Sequence, residues 1–238
     1  MITSEYRCQR RRQRVNSLAY LPHRRKRDTK IALANKPTSW YIPRMSNDTA
    51  QRILDRAQAL IVERGYKGFS YADIAEVVNV SKASIHFHYA TKAVLTEQLV
   101  LRYREGAMAK LRQLSAQVPD ASARLETYVE YWENCIRTNT APFCMCAMLA
   151  SEIPILPDEV KSEVQAFFRD TQDWLASVLE DGVRQGTLRL SLSAALEAKS
   201  FLSLVHGAML DARVFGDAAA FDAVMGDAIG RLKVGVRS

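Results

Sequence analysis

The 238-residue chain is short of cysteine and has no long apolar run, and each shortage closes off a class of protein. Four cysteines (Cys8, Cys135, Cys144 and Cys146) follow an arginine-rich start with no continuous apolar core, so no secretory signal is visible. Reduced thiols in a cytosolic chain are the default expectation. The longest uninterrupted apolar run, Ala141–Ala150, is far short of the roughly 20 residues a membrane helix needs, so no membrane partner is expected. Strand-like alternation is scarce, and apolar residues recur mostly at helical spacing, which argues for an all-α fold. There is no Ser–His–acid order, no glycine-rich phosphate loop and no set of metal ligands, so nothing supports an enzyme and no cofactor is expected. Turnover of a small substrate by purified protein would revive that class. What remains, 48% hydrophobic and 25% charged, is ordinary for a soluble globular chain long enough to bury a sizeable core.

Acidic residues are nearly absent from one end. Residues 1–44 hold 12 Lys and Arg against 2 Asp and Glu, a net of +10, whereas the whole chain is +7; residues 45–238 therefore carry −3. This first segment has RRRQR and HRRKR, three prolines and no sustained periodicity, and reads as a disordered basic extension. Its charge says nothing about whether the rest binds nucleic acid. Residues 45–92 hold 6 Lys and Arg against 5 Asp and Glu, a net of +1, which predicts modest non-specific affinity for DNA.

The most informative stretch is Ser70–Lys92, SYADIAEVVNVSKASIHFHYATK. Ser70 is placed to cap a short helix, with Asp73 in its first turn. Ile74, Ala75 and Val78 form one apolar stripe. Asn79 tolerates the left-handed conformation that stops a helix abruptly, Val80 can plug the space between two helices, and Ser81 caps the next one, Lys82 to about Tyr89. That pattern is a helix-turn-helix, whose second helix enters the DNA major groove. Lys82 stands at the head of this reading helix, where free backbone N–H groups also face phosphate. Ala83 and Ser84 are small enough to let the helix approach base edges; Ala83 suits a thymine methyl, and Ser84 a base or a phosphate. Lys82, His86 and Lys92 read as DNA contacts, with Phe87 and His88 beside them, although His88 suits packing equally well. Ser70 and Tyr71 at the preceding helix start complete the candidate set, while Ile85 and Tyr89 read as core. A metal reading of His86 and His88 fails, because residues two apart on a helix diverge and no further ligand completes a site.

Several short patterns recur here in order: ILDRAQALIVERGY, then F-S-Y-A-D-I-A, then V-S-K-A-S-I-x-x-H-Y, then T-K-A-V-L. On these, Thr49–Arg104 resembles the TetR family of one-component bacterial regulators. The resemblance implies a helix-turn-helix head at residues 46–92 and a ligand-binding and dimerising domain at 93–238. Lys92 matches a lysine that grips a phosphate in the family. Ala83, His86 and Tyr89 stand where the family often has Gly, Tyr and Phe, departures that bear on the target sequence. Family members commonly begin as MSNDTAQRIL does, so one reading of residues 1–44 is an upstream start, with Met45 the natural one; the other is a basic arm lying along phosphates or in a minor groove.

Asp48–Arg64 reads as the first helix, with Asp48 and Gln51 as a capping box, Ile53, Ala57, Leu60 and Ile61 buried, and Gly65 as its stop. A helix from Thr91 to about Ser115 leaves the head; in the family it links the two domains. Further helices are expected at Ala121–Thr138, between Pro142 and Pro154, within Pro157–Gly186, and at Ala194–Phe215 and Asp217–Leu232. The last two are rich in Ala and Gly, which suits close packing, and in TetR-like folds they form the four-helix dimer interface. F-C-M-C-A-M-L-A-S-E resembles a stretch in regulators of the N-ethylmaleimide reductase repressor type, where a Cys near the inducer pocket answers electrophiles; Cys144 takes the matching place, and Phe143 stands where that group usually has Gly. Pocket candidates on the inward faces are Tyr128, Trp132, Phe143 and Cys144, with Met148, Phe168, Trp174 and His206.

The resulting expectation is a homodimeric repressor that binds a pseudo-palindromic double-stranded DNA operator and is released by a small hydrophobic or electrophilic effector. Two alternatives stand beside it: a thiol-based redox or electrophile sensor on the same fold, and a non-specific DNA binder using the basic tail.

Overall fold

A computed structural model describes residues 45–234, with side chains from Asp48 onward. The basic extension, both readings of it, and Cys8 lie outside the described residues. Among the described residues the secondary structure is helical apart from one isolated bridge between Leu188 and Lys233.

The head consists of α1 (Met45–Arg64), α2 (Tyr71–Val78) and α3 (Lys82–His88). α1 buries Ile53, Leu54, Ala57, Leu60 and Ile61 on one face, each large side chain contributing about 1.5–3 kcal/mol. The helix begins earlier than its sequence signal, so Asp48 lies in its first turn and is not an N-cap. The expected capping box is therefore absent; Gln51 instead accepts a hydrogen bond from Arg102, 2.7 Å away. Gly65 ends the helix at φ +75°. α2 has the capping box that Ser70 and Asp73 promise: Ser70 Oγ accepts from the Ala72 N–H, and Asp73 accepts from the Ser70 N–H at 2.7 Å. The Ser70 hydroxyl also donates to Asp73, at 2.6 Å, and this bond with that from the Ser70 N–H holds the Asp73 carboxyl below its ordinary range. Asn79 stands at φ 58°, ψ 53°, the left-handed stop that the turn requires. Arg52 of α1 donates to the Val78 carbonyl at 2.7 Å and pins the end of α2.

α4 (Lys92–Gln117), capped by Thr91, is one 26-residue rod. Its first half, with Leu95, Thr96, Leu99 and Val100, is buried in the head's core, and its second half has no fully buried residue. α7 (Asp158–Gln185) packs along it, and α5 (Ala121–Arg137) packs on α7. Arg104 of α4 pairs with Glu163 at 3.2 Å and Asp170 at 3.1 Å, fixing α4 on α7. Arg124, almost buried, donates to the Val118 and Pro119 carbonyls and to Asp181, tying the α4–α5 link to α7.

α6 is shorter than its proline markers indicate. It runs Met145–Ala150, with Cys144 at its N-cap, and Pro154 lies inside a separate 3-10 turn, Ile153–Ile155. Pro142 starts nothing. α8 (Ala194–Phe215) and α9 (Ala218–Leu232) close the chain as a packed pair, separated by Gly216 at φ 64°.

Candidate nucleic-acid interface and effector cavity

α3 presents Lys82, Ala83, His86 and Phe87 to solvent, with Ser84 and His88 half-buried. Ile85 is fully buried and Tyr89 nearly so, which seats the helix on α1 and α2. Ser81 caps it by accepting from the Ser84 N–H at 3.1 Å. The His86 ring bonds through Nδ1 to the Ala90 carbonyl at 3.0 Å and lies 4.7 Å from the Tyr71 ring, so its direction is fixed while the residue stays exposed. Phe87 is 84% exposed, an unusual place for a bare phenyl ring.

Two of the expected phosphate contacts, Tyr71 and Lys92, are engaged within the head. Tyr71 is buried and its hydroxyl donates to the Tyr89 carbonyl at 2.8 Å, with burial pushing the phenol up to about 12. It is the strut between α2 and α3. Lys92 turns inward: Nζ donates to the Phe69 carbonyl at 2.5 Å and sits 4.1 Å from the Phe69 ring and 4.7 Å from the Tyr66 ring. Partial burial lowers its pKa, against the raising pull of Glu152 and Asp73. A lysine held by a carbonyl and two aromatic faces is a brace of the head, since cation–π contacts of this kind gain strength on desolvation.

Beyond the head, a cavity of about 500 Å³ opens between α4, α5 and α7. α4 supplies Tyr103, Gly106, Ala107, Lys110, Leu111 and Leu114; α5 supplies Tyr128, Tyr131 and Trp132; Phe167 and Thr171 come from α7. Of the sequence candidates, Tyr128 and Trp132 line it. Phe143, Cys144, Met148, Phe168, Trp174 and His206 do not. Trp174 lies behind Tyr128, ring centroids 5.5 Å apart, and donates to Ser115 Oγ at 2.9 Å. Phe168 and His206 stack on each other at 5.3 Å, and burial lowers the His206 pKa to about 4. Phe143 packs under the Arg213 guanidinium. The α4 contribution is not legible in the sequence: Gly106, Ala107 and Lys110 carry no large apolar side chain, and Tyr103, Leu111 and Leu114 lie on a helix whose expected role is to link two domains. The run Gly106–Ala109 in the middle of that helix is at most a faint signal.

Cys144 sits one shell behind the cavity wall, its Sγ 3.8 Å from the Tyr103 hydroxyl. It and Cys146 are fully buried, and burial raises both thiols. That is the reverse of the lowered pKa and access that a reactive thiol needs. Farther along, Glu152 reaches the head: its carboxylate accepts from the Tyr66 N–H at 2.5 Å, and a Cβ on Gly65 would come within 2.7 Å of it.

A surface-presented helix-turn-helix joined by one rod to a cavity of about 500 Å³ defines a helix-turn-helix DNA-binding protein with a second, ligand-sized site. Residues 53–99 match the family model of bacterial regulatory proteins of the tetR family, and residues 121–227 match that of the tetracyclin repressor-like C-terminal domain. A TetR-family transcriptional regulator from Agrobacterium tumefaciens is 46% identical and superposes with a TM-score of 0.78, over 79% of this chain and 100% of that one. Among curated relatives, the HTH-type transcriptional repressor DhaR of Mycobacterium sp. strain GP1 is 23% identical over 165 residues, 69% of this chain and 82% of DhaR. KstR2, an HTH-type transcriptional repressor of Rhodococcus jostii strain RHA1, is 26% identical over 155 residues, 60% of this chain and 70% of KstR2. The chain belongs to the TetR family and is a DNA-binding transcriptional regulator. No helix among the described residues is long and apolar enough to cross a membrane.

Proposed function

We propose that this regulator is a homodimeric repressor of a pseudo-palindromic operator, released when a small hydrophobic effector fills the cavity between α4, α5 and α7. The observation that carries the reading is the continuity of α4: Leu95 and Leu99 are buried in the head, and Tyr103 to Leu114 of the same helix line the cavity. An occupant that displaces the second half of α4 moves the head with it. Operator and effector then weaken each other's binding by the same factor.

Lys82, Ala83, Ser84, His86 and Phe87 are the residues we assign to the DNA, with His88 and Ser70 at the margin. Two copies of α3 would enter successive major grooves, roughly 34 Å apart. The dimer face would be the outer side of α8 and α9. There Leu196, Leu204, Leu210 and Val214 are exposed at helical spacing, and nothing lies within 4 Å of a Cβ on Gly207, Gly226 or Gly230. The effector binds without covalent chemistry on this reading, given the buried, raised thiols.

Selection of bound sequences from random duplex DNA tests the operator, using protein that starts at Met45 with the full chain in parallel. An enriched pseudo-palindrome from both forms is the expected result. Enrichment from the full chain alone would make residues 1–44 a DNA-reading arm, and enrichment from neither would defeat the specific-repressor reading.

A further inference from the structure

The cavity wall carries charge of one sign only. Arg102 and Lys110 line it, and no carboxylate does. Arg102 is already engaged: it pairs with Asp55 at 2.8 Å and donates to Gln51 at 2.7 Å. Lys110 makes no ion pair among the described residues; its Nζ lies 5.5 Å from the centre of the Tyr131 ring. A lysine at the rim of an apolar cavity lays its stem along the wall and keeps its ammonium at the water boundary. The body of the cavity is apolar and aromatic, from Leu111, Leu114, Tyr128, Trp132 and Phe167. The Trp132 indole N–H is buried on the same wall, with the Tyr128 hydroxyl as its neighbour.

We infer that the effector is a small hydrophobic acid, with an aromatic or aliphatic body in the cavity and one anionic carboxylate at Lys110. The inference rests on the proposed effector role of this cavity and adds the ligand's chemical class. A cationic ligand meets the unpaired ammonium of Lys110 and no carboxylate on the wall. A neutral one leaves Lys110 unused. An acid satisfies both the shape and the charge of the site, and a volume of this size is that of a drug-sized ligand site. Lys110 lies on α4, so the anion acts directly on the helix that carries the head.

Calorimetric titration of the full chain with 2-naphthoate and with 2-naphthamide separates charge from shape, since the two probes share one ring system. Naphthoate is expected to bind about fivefold tighter, the range of a partly exposed charge pair. Lys110→Met should erase that preference while leaving naphthamide affinity and the circular dichroism spectrum unchanged. Ala107→Trp, which fills the cavity, should abolish both bindings. Equal or tighter binding of the amide, or a preference that survives Lys110→Met, would overturn the acid inference and leave the cavity reading standing. Binding that survives Ala107→Trp, or no binding of either probe to the wild-type chain, would overturn both.

Discussion

At the scale of single residues, the reading helix is defined by what it leaves uncovered. Ala83 and Phe87 are four apart, so they share one face of α3, and both are exposed. An apolar pair on a face otherwise bounded by Lys82 and His86 is matched by thymine methyl groups, which are the apolar feature of the major groove. Replacing thymine by deoxyuridine at the matching half-site positions removes one methyl each. The expected loss is about 0.8 kcal/mol per buried methyl, roughly fourfold in Kd. In Phe87→Ala the same replacement should matter less, as read by fluorescence anisotropy. Equal sensitivity in both proteins would remove Phe87 from the base contacts. His206 supports a different prediction. Its folded pKa of about 4 lies below the usual 6.5, so the unfolded chain binds more protons between those values. Stability from this residue is whole above pH 6.5 and falls as pH drops toward 4, by up to about 3 kcal/mol. Urea midpoints at pH 7 and pH 4.5 should converge in His206→Phe, which keeps the stack on Phe168 without a titrating group; an unchanged acid loss would place its origin elsewhere.

At the scale of elements, the caps of α2 and α3 were legible because local chemistry determines them, whereas the start of α1 was not, its expected capping box at Asp48 and Gln51 being absent. Ser70, Asn79, Ser81 and Gly216 all stand where their side chains or their freedom at positive φ put them. Tyr71 and Lys92 were not legible as buried struts, because a helix start looks exposed until α1 and the Tyr66–Phe69 link are folded over it. The cavity was half legible: aromatic residues on α5 read inward, but which face of α4 borders empty space is decided by how α5 and α7 splay, a long-range outcome with no local signal. The α6 region shows the same limit: Glu152 closes the F-C-M-C-A-M-L-A-S-E pattern, yet nothing local tells that its carboxylate accepts from the N–H of Tyr66, 86 residues away. This contact joins α6, whose N-cap Cys144 touches the cavity residue Tyr103, to the end of α1. Glu152→Ala leaves the Tyr66 N–H without a partner, a cost of about 1–2 kcal/mol. We expect weaker operator binding without effector and a smaller further loss when effector is added. An unchanged ratio of the two affinities would show that α4 alone couples the sites.

At the scale of the whole molecule, α3 carries the exposed face proposed for DNA and α8 an exposed apolar stripe, and the proposed dimer would join their actions. Leu210 is 53% exposed and Val214 66%, on a stripe that continues through Leu196, Leu204 and Gly207 at helical spacing. A single copy gains nothing from such a stripe, whereas two copies packed there would bury it. The tip of α8 also reaches the head, because Arg213 donates to the Val62 carbonyl of α1 at 3.1 Å. In the proposed dimer this contact would tie the α8 face to the head at a second point besides α4. Leu210→Glu places like charges across a two-fold face while leaving the subunit's own core, which lies on the opposite side of α8, untouched. Sedimentation should then report monomers with full helical content. Operator affinity should fall by about 10²–10⁴, the advantage that linked half-site binding supplies. Affinity for a single half-site should stay near that of the wild-type chain, since α3 is unaltered. A monomeric variant that kept full-operator affinity would show that one head suffices, and a dimeric one would move the interface off this stripe.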